Sequence, residues 1–341
     1  MSHIGVRFTY RRRLLALLYL SLGFTSPAEA KEKDTSAWCP ILGDPVVAIE
    51  AATFYQADDP SHSRIDPDKL RENVRLTRPV SQFLDTLATL SDSYVLSPSP
   101  DVKQCTDHLL YQWARAGALT DISQGVQARF VQEWSLASLG FLRMKLGPLR
   151  DHEQDEIVRA WMHDLAASVA NLYPSDGGAS RNNLYYWAML AIAVTGHSTD
   201  DVVLWKRAED MNRVALSDIQ ANGTLPAELK RASRAAWYHA FAAEPLVLFK
   251  LVSERCRNQP YQGDRQLDRL LDIVYGALNG SPTLHTITGV EQVDIRDRYW
   301  INLWNAFEGN QPYIVTLAKE RNLGGSVDML YRLFRDGCRR D

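Results

Sequence analysis

From about residue 69 onward, long segments of the chain repeat apolar residues at intervals of three and four, and that spacing constrains it more than anything else in the sequence. Stretches such as "VQARFVQEWSLASLGFLRMKL", "EIVRAWMHDLAASVANLY", "DVVLWKRAEDMNRVALSDI" and "QLDRLLDIVYGALNG" place their apolar residues on one side of an α-helix. The breakers between them are short, for example "PSDGGAS", "GHSTD" and "ANGTLP". No segment alternates as a half-buried strand would, so an all-α fold is expected. Consecutive helices with short connections pack antiparallel, and a series of such hairpins can form a bundle or curl into a toroid. With 341 residues, 45% of them hydrophobic, the chain can bury a large core in one large domain or two small ones.

The first thirty residues stand apart from that core. "MSHIGVRFTYRRR" is basic, "LLALLYLSLGF" is apolar but short for a membrane span, and "SPAEA" ends in the small-x-small pattern of a signal-peptidase site. Residues 1–30 are therefore expected to be a signal peptide cleaved after Ala30, with an N-terminal anchor as the alternative. A periplasmic or secreted protein with no further membrane segment would result. Cleavage removes Arg7, Arg11, Arg12, Arg13 and Glu29 and moves the formal charge from -3 to -6. No basic stripe is visible, which argues against a nucleic-acid partner. Cys39, Cys105, Cys256 and Cys338 show no CxxC spacing, so disulfides are expected rather than metal ligands. Three pairings are possible, and Cys39 with Cys105 is the one expected, tying an N-terminal arm to a helix. That arm, residues 31–68, is rich in proline and polar residues and reads as extended, ahead of a helical domain over 69–341.

Four blocks combine aromatic, amide and basic residues: "NNLYYW", "LPAELKRASRAAWYHAF", "RYWINLWNAF" and "RNLGGSVDM". On a helix, Arg234 and Tyr238 share a face with Phe241 one turn further on, and Asn183 and Trp187 have the same spacing. Aromatic faces stack on sugar rings, amides bond hydroxyls, and guanidinium groups bind carboxylates. Any single aromatic stripe at helical spacing is more often core than ligand platform, and a lone His239 is more often structural than basic. Several such blocks in one chain favour a ligand groove.

The blocks "WARAGAL" (113–119), "NNLYYW" (182–187), "LPAELKR" (225–231), "RAAWYHAF" (234–241) and "LGG" (323–325) together resemble, in order, the alginate lyase family that includes periplasmic poly(mannuronate) lyases. The resemblance implies an incomplete α/α toroid that acts on an acidic, uronate-containing polysaccharide by β-elimination, without metal or redox cofactor. It implies catalytic roles for Asn183 and Arg234 in neutralising the uronate carboxylate. Tyr238 is the candidate for proton transfer, and Arg78, Asn182, Tyr185, Tyr186, Trp187, His239 and Trp300 are candidates for substrate binding. Three positions depart from the family pattern. Leu184 stands where the family has a histidine, and Phe241 where it has its catalytic tyrosine; Asn322 likewise replaces a basic residue before the glycines.

Three readings follow. The chain is a lyase with a rebuilt acid-base set, drawing on Tyr238, Tyr185, Tyr186 or His239, with Arg234 or Arg78 helping a phenol to ionise. Alternatively it is a degenerate, export-associated binding protein that keeps the groove without turnover. A glycoside hydrolase would instead need two facing carboxylates, for which Glu228, Asp294 and Asp297 are available.

Overall fold

The computed structural model describes residues 39–123, 125–173, 181–295, 298–309 and 311–338; the expected signal peptide lies outside them. Residues 39–66 contain no helix. The chain then forms α1 (Pro67–Leu96), α2 (Pro100–Arg115), α3 (Val126–Leu146), α4 (His152–Asn171), α5 (Asn183–Ser198) and α6 (Val202–Asp218). A short α7 (Pro226–Leu229) leads to α8 (Ala235–Leu251), α9 (Asp264–Leu278), α10 (Thr283–Thr288), α11 (Trp300–Phe307) and α12 (Val327–Arg335). Side-chain caps set several starts: Asp66 accepts from the amides of Asp68 and Lys69, Asp151 from Gln154, and Asp201 from Val203 and Leu204. Among the described residues the all-α expectation holds apart from a two-residue antiparallel pair, β1 (Lys319–Glu320) with β2 (Gly325–Ser326), and isolated bridges between Ala48 and Asp121 and between Tyr55 and Ile65.

One expected helix is broken. The run from Glu228 to Glu254 reads as continuous, yet the chain leaves α7, makes a 3-10 turn at Ala232–Arg234 and restarts as α8 at Ala235. Ala232 has φ +50°, a conformation no α-helix tolerates. Gln292 braces the turn by accepting from the Ala236 amide (2.9 Å) and donating to the Ala232 carbonyl (3.1 Å). Arg234 is thereby moved off α7 and onto the entrance of α8.

The core is organised around α5, which is apolar on every side and buried from Tyr185 to Gly196. It packs against α3, α4, α6 and α8. The approach of α3 is closest at Gly140, where an added Cβ would lie 2.4 Å from Val194 Cγ2 and 3.0 Å from its backbone carbon. Buried ion pairs flank the contact. Arg143 holds Asp155 through two bonds of 2.8 and 2.9 Å, and Lys145 holds Asp92 at 2.6 Å. The second Asp92 oxygen accepts the Ser326 amide (2.8 Å), seating the "LGG" turn against α1. Gly325, with φ +122°, leaves no room for a side chain there, since its Cβ would meet that same carboxylate at 2.6 Å. Disulfides join Cys39 to Cys105, the expected pair, and Cys256 to Cys338.

Replacing Gly140 by Ala would gain helix propensity of about 1 kcal/mol, but the Val194 backbone cannot withdraw as a flexible side chain could. Gly140→Val adds two methyl groups to the same contact and should lower stability by about 1–3 kcal/mol, read as a drop in the urea midpoint. An unchanged midpoint would mean that α3 and α5 are not in this contact.

Candidate functional site

A groove of about 470 Å³ opens where the arm faces α3, α5 and α8. Its walls come from three stretches distant in sequence: Phe54, Tyr55 and His62 on the arm, Phe130 and Trp134 on α3, and Arg231, Trp237, Tyr238 and Phe241 around the start of α8, with Asn183 and Leu184 between. A smaller recess continues it, sharing Phe54, Gln127 and Trp134 and reaching Arg321 and Asn322. Such a length suits a chain of linked rings better than one small molecule.

Asn183 is one of the polar groups of the lining, and it is held by a buried carboxylate. Its backbone amide and its Nδ2 both donate to Glu228 Oε1, at 2.7 and 3.0 Å. Glu228 is fully buried, and burial raises its pKa, opposed by the Asn183 donors and by Arg231 at 3.6 Å. The carboxylate fixes the Asn183 rotamer and leaves its carbonyl oxygen and one Nδ2 proton for a ligand.

Three guanidinium groups lie over aromatic faces at the α8 end. Arg231 sits 4.5 Å from the Tyr238 ring centre, Arg234 4.6 Å from Trp237, and Arg298 4.2 Å from Trp237. Trp237 itself stacks on Phe241 at 5.1 Å. Arg231 is committed to Glu228, whereas no carboxylate pairs with Arg234 among the described residues, and its buried Nε has no hydrogen-bond partner among them. An external carboxylate is the natural counter-ion for such a group.

Tyr238 meets Tyr55 across the groove, their hydroxyls 2.5 Å apart. Burial, followed by the neighbouring Tyr55, pushes the Tyr238 phenol well above its ordinary pKa, and Arg231 and Arg234 only partly offset this. Arg234 thus favours ionisation of Tyr238 as expected, but burial outweighs it. The phenol stays protonated and can act as a donor but not as a base near neutral pH.

Of the residues singled out from sequence, Asn183 and Tyr238 line the groove, and Arg234 lies over its wall. The other expected binding residues are elsewhere. Tyr185, Tyr186 and Trp187 are buried, because α5 is enclosed on all sides and its side chains pack into neighbouring helices. His239 is fully buried as a strut: its Nε2 accepts from the Leu225 amide (2.9 Å) and its Nδ1 donates to the Ala235 carbonyl (2.8 Å). Burial takes its pKa down to about 4, so it remains neutral. Asn182 caps α5 by accepting the Leu184 amide. Trp300 belongs to the buried face of α11, and Arg78 is exposed on α1 and lines neither recess. Glu228 is engaged with Asn183, Asp294 is exposed in a different recess, and Asp297 lies outside the described residues. Neither Glu228 nor Asp294 thus faces a second carboxylate across the groove. Sequence reasoning missed Arg231, Trp134, Tyr55 and His62. An aromatic pair set in an otherwise polar, proline-bearing arm was the available signal for Tyr55.

Comparison with known proteins bears on the family and the fold. The alginate lyase family model matches residues 43–283. A polysaccharide lyase of Stenotrophomonas maltophilia (strain K279a) is 30% identical over 274 residues, which is 79% of this chain and 81% of that protein. An alginate lyase of Pseudomonas fluorescens (strain SBW25) is 26% identical over 286 residues, 81% of this chain and 76% of its own. Among solved structures, a histidine-to-alanine variant of alginate lyase A1-III complexed with a tetrasaccharide superposes with a TM-score of 0.72 at 22% identity, covering 89% of this chain and 88% of that one. That enzyme comes from Sphingomonas species A1. The likeness bears out the α/α toroid.

Below the groove, one turn after Phe241, Glu244 is buried, and burial raises its pKa from 4.5 to about 8, with Arg298 opposing the shift and Glu320 adding to it. The folded protein keeps a proton that the unfolded chain releases above its ordinary value. Stability should therefore fall as pH rises from about 4.5 and level off above about 8. Glu244→Gln should flatten this loss and become more stable than the natural protein by an amount on the order of a few kcal/mol at about pH 9. Urea midpoints at about pH 5 and about pH 9 test it; identical slopes in both proteins would show that Glu244 does not carry the loss.

Proposed function

Since the chain belongs to the alginate lyase family, we propose that it holds an acidic, uronate-containing polysaccharide such as alginate in this groove and cleaves it by β-elimination. The observation that carries the reading is the pairing of a clamped amide, Asn183, with a guanidinium, Arg234, that has no carboxylate partner among the described residues and lies over an aromatic wall. Together they would neutralise a uronate carboxylate and so acidify the C5 proton. Tyr238, held protonated, would give its proton to the departing glycosidic oxygen. Trp134 offers an aromatic surface for a sugar ring. The two disulfides support placement in the periplasm or outside the cell, with residues 1–30 as the exporting signal.

A second reading rests on Leu184 and Phe241. Both line the groove, and neither can move a proton. On this reading the protein binds the polymer without cutting it.

The purified protein, mixed with a panel of polyuronates, should produce the ultraviolet absorbance of the unsaturated sugar. Tyr238→Phe should lower that rate by roughly 10²–10⁴ with little change in binding, and Arg234→Ala should weaken binding by about 1.5–3 kcal/mol. Measurable binding with no absorbance change on any polymer would sink the lyase reading in favour of the binding one. In that case Leu184→His combined with Phe241→Tyr should create turnover.

A further inference from the structure

The groove as described has groups for the carboxylate and for the leaving oxygen, and nothing on α5 or α8 to take the C5 proton. Leu184 and Phe241 are inert, Tyr238 is held protonated, and both ring nitrogens of His239 are used in the scaffold. Imidazole is the most frequent general base in enzymes. One other histidine lines the groove, and it comes from the arm.

His62 lies against Tyr55 with ring centres 5.0 Å apart and planes at 8°. Stacking of this kind uses the faces of the ring and leaves its edge open. Neither ring nitrogen of His62 has a hydrogen-bond partner among the described residues, in contrast to His239. Its backbone is in the left-handed region, at φ +50°. Strain of this kind persists only where surrounding bonds impose it, and it gathers at functional sites. Here the imposing group is Asp59. Its carboxylate accepts the amides of Ser61 (3.0 Å), Ser63 (2.7 Å) and Arg64 (2.6 Å), together with the Ser61 and Ser63 hydroxyls, while its carbonyl accepts the His62 amide (3.2 Å). The turn therefore presents His62 at a fixed angle beside Tyr55, and Tyr55 in turn contacts Tyr238, hydroxyl to hydroxyl.

We propose that His62, carried on the Asp59-locked turn of the N-terminal arm, is the catalytic base of this protein, taking the place of a proton acceptor that α5 and α8 do not supply. The inference rests on the lyase reading above. In the step itself, His62 takes the C5 proton, the C5–H electron pair becomes the C4–C5 double bond, and the C4–O bond breaks with its electrons on the glycosidic oxygen. That oxygen takes the phenolic proton of Tyr238. The imidazolium and phenolate left behind are reset by a net proton transfer through solvent, so no co-reactant is consumed.

His62→Asn is the decisive variant, because asparagine tolerates the left-handed backbone and keeps the turn while removing the base. The expected result is a loss of roughly 10²–10⁴ in the rate of unsaturated-sugar formation, polyuronate binding within about twofold of the natural protein, and recovery of rate in His62→Gly on adding free imidazole. A His62→Asn protein that cleaves at the natural rate, alongside a Tyr238→Phe protein that does not, would overturn the assignment and leave the lyase reading standing. Absence of cleavage by the natural protein on every polyuronate would remove both together.

Discussion

The contact on which the site depends is the grip of one buried carboxylate on the start of a buried helix. An apolar helix such as α5 can be accommodated only by surrounding it, and its N-terminus then delivers unpaired amides to the edge of the core. Asn182 accepts one of them, and Glu228 accepts the Asn183 amide together with its side chain. Negative charge at that end also suits the helix dipole. Glu228 belongs to the Pro226–Leu229 turn, whose leading residue Leu225 is bonded to His239 on α8. One series of hydrogen bonds thus sets α5, the α7 turn and α8 in mutual register. Arg231, Arg234 and Tyr238 take their places from it.

Charge within the groove is arranged by partner choice rather than by number. Arg231 and Arg234 are three residues apart and both lie over aromatic rings. One has a carboxylate from the protein and the other has none among the described residues. Aromatic faces suit a guanidinium that must wait for an anion, because they favour its weakly hydrated plane without satisfying its in-plane donors. Arg143 and Lys145 on α3 show the opposite arrangement, each matched to an aspartate and closed to any ligand.

Helical periodicity made the architecture legible from α1 to α9, since a spacing of 3.6 residues is a property of the chain itself. The family order of blocks made Asn183 and Arg234 legible as well. What the spacing could not say was which side of a helix faces a groove when every side is apolar. "NNLYYW" looks like a platform, yet its three aromatics are core and only Asn183 and Leu184 reach the groove. Nor could periodicity register the break at Ala232, which depends on backbone conformation and on bonds from Gln292 far along the chain. The arm was unreadable for the same reason: Tyr55 and His62 are placed by turn geometry, and a turn carries no period.

The arm supplies a whole wall of the groove and is stitched to the helical body along its length. Ile49 is buried in the core, the Leu119 and Asp121 amides donate to the Val46 and Val47 carbonyls, and the Ile49 amide donates to the Asp121 carbonyl. Mechanically it is a strap sewn down at a seam that lies between the Cys39–Cys105 bond and the groove residues Tyr55 and His62. The width of the cleft is then set by that seam and not by the disulfide ahead of it. Opening the Cys39–Cys105 bond would loosen the residues before Val46 while the wall behind the seam kept its place, so ligand affinity would be insensitive to the oxidation state of the two cysteines.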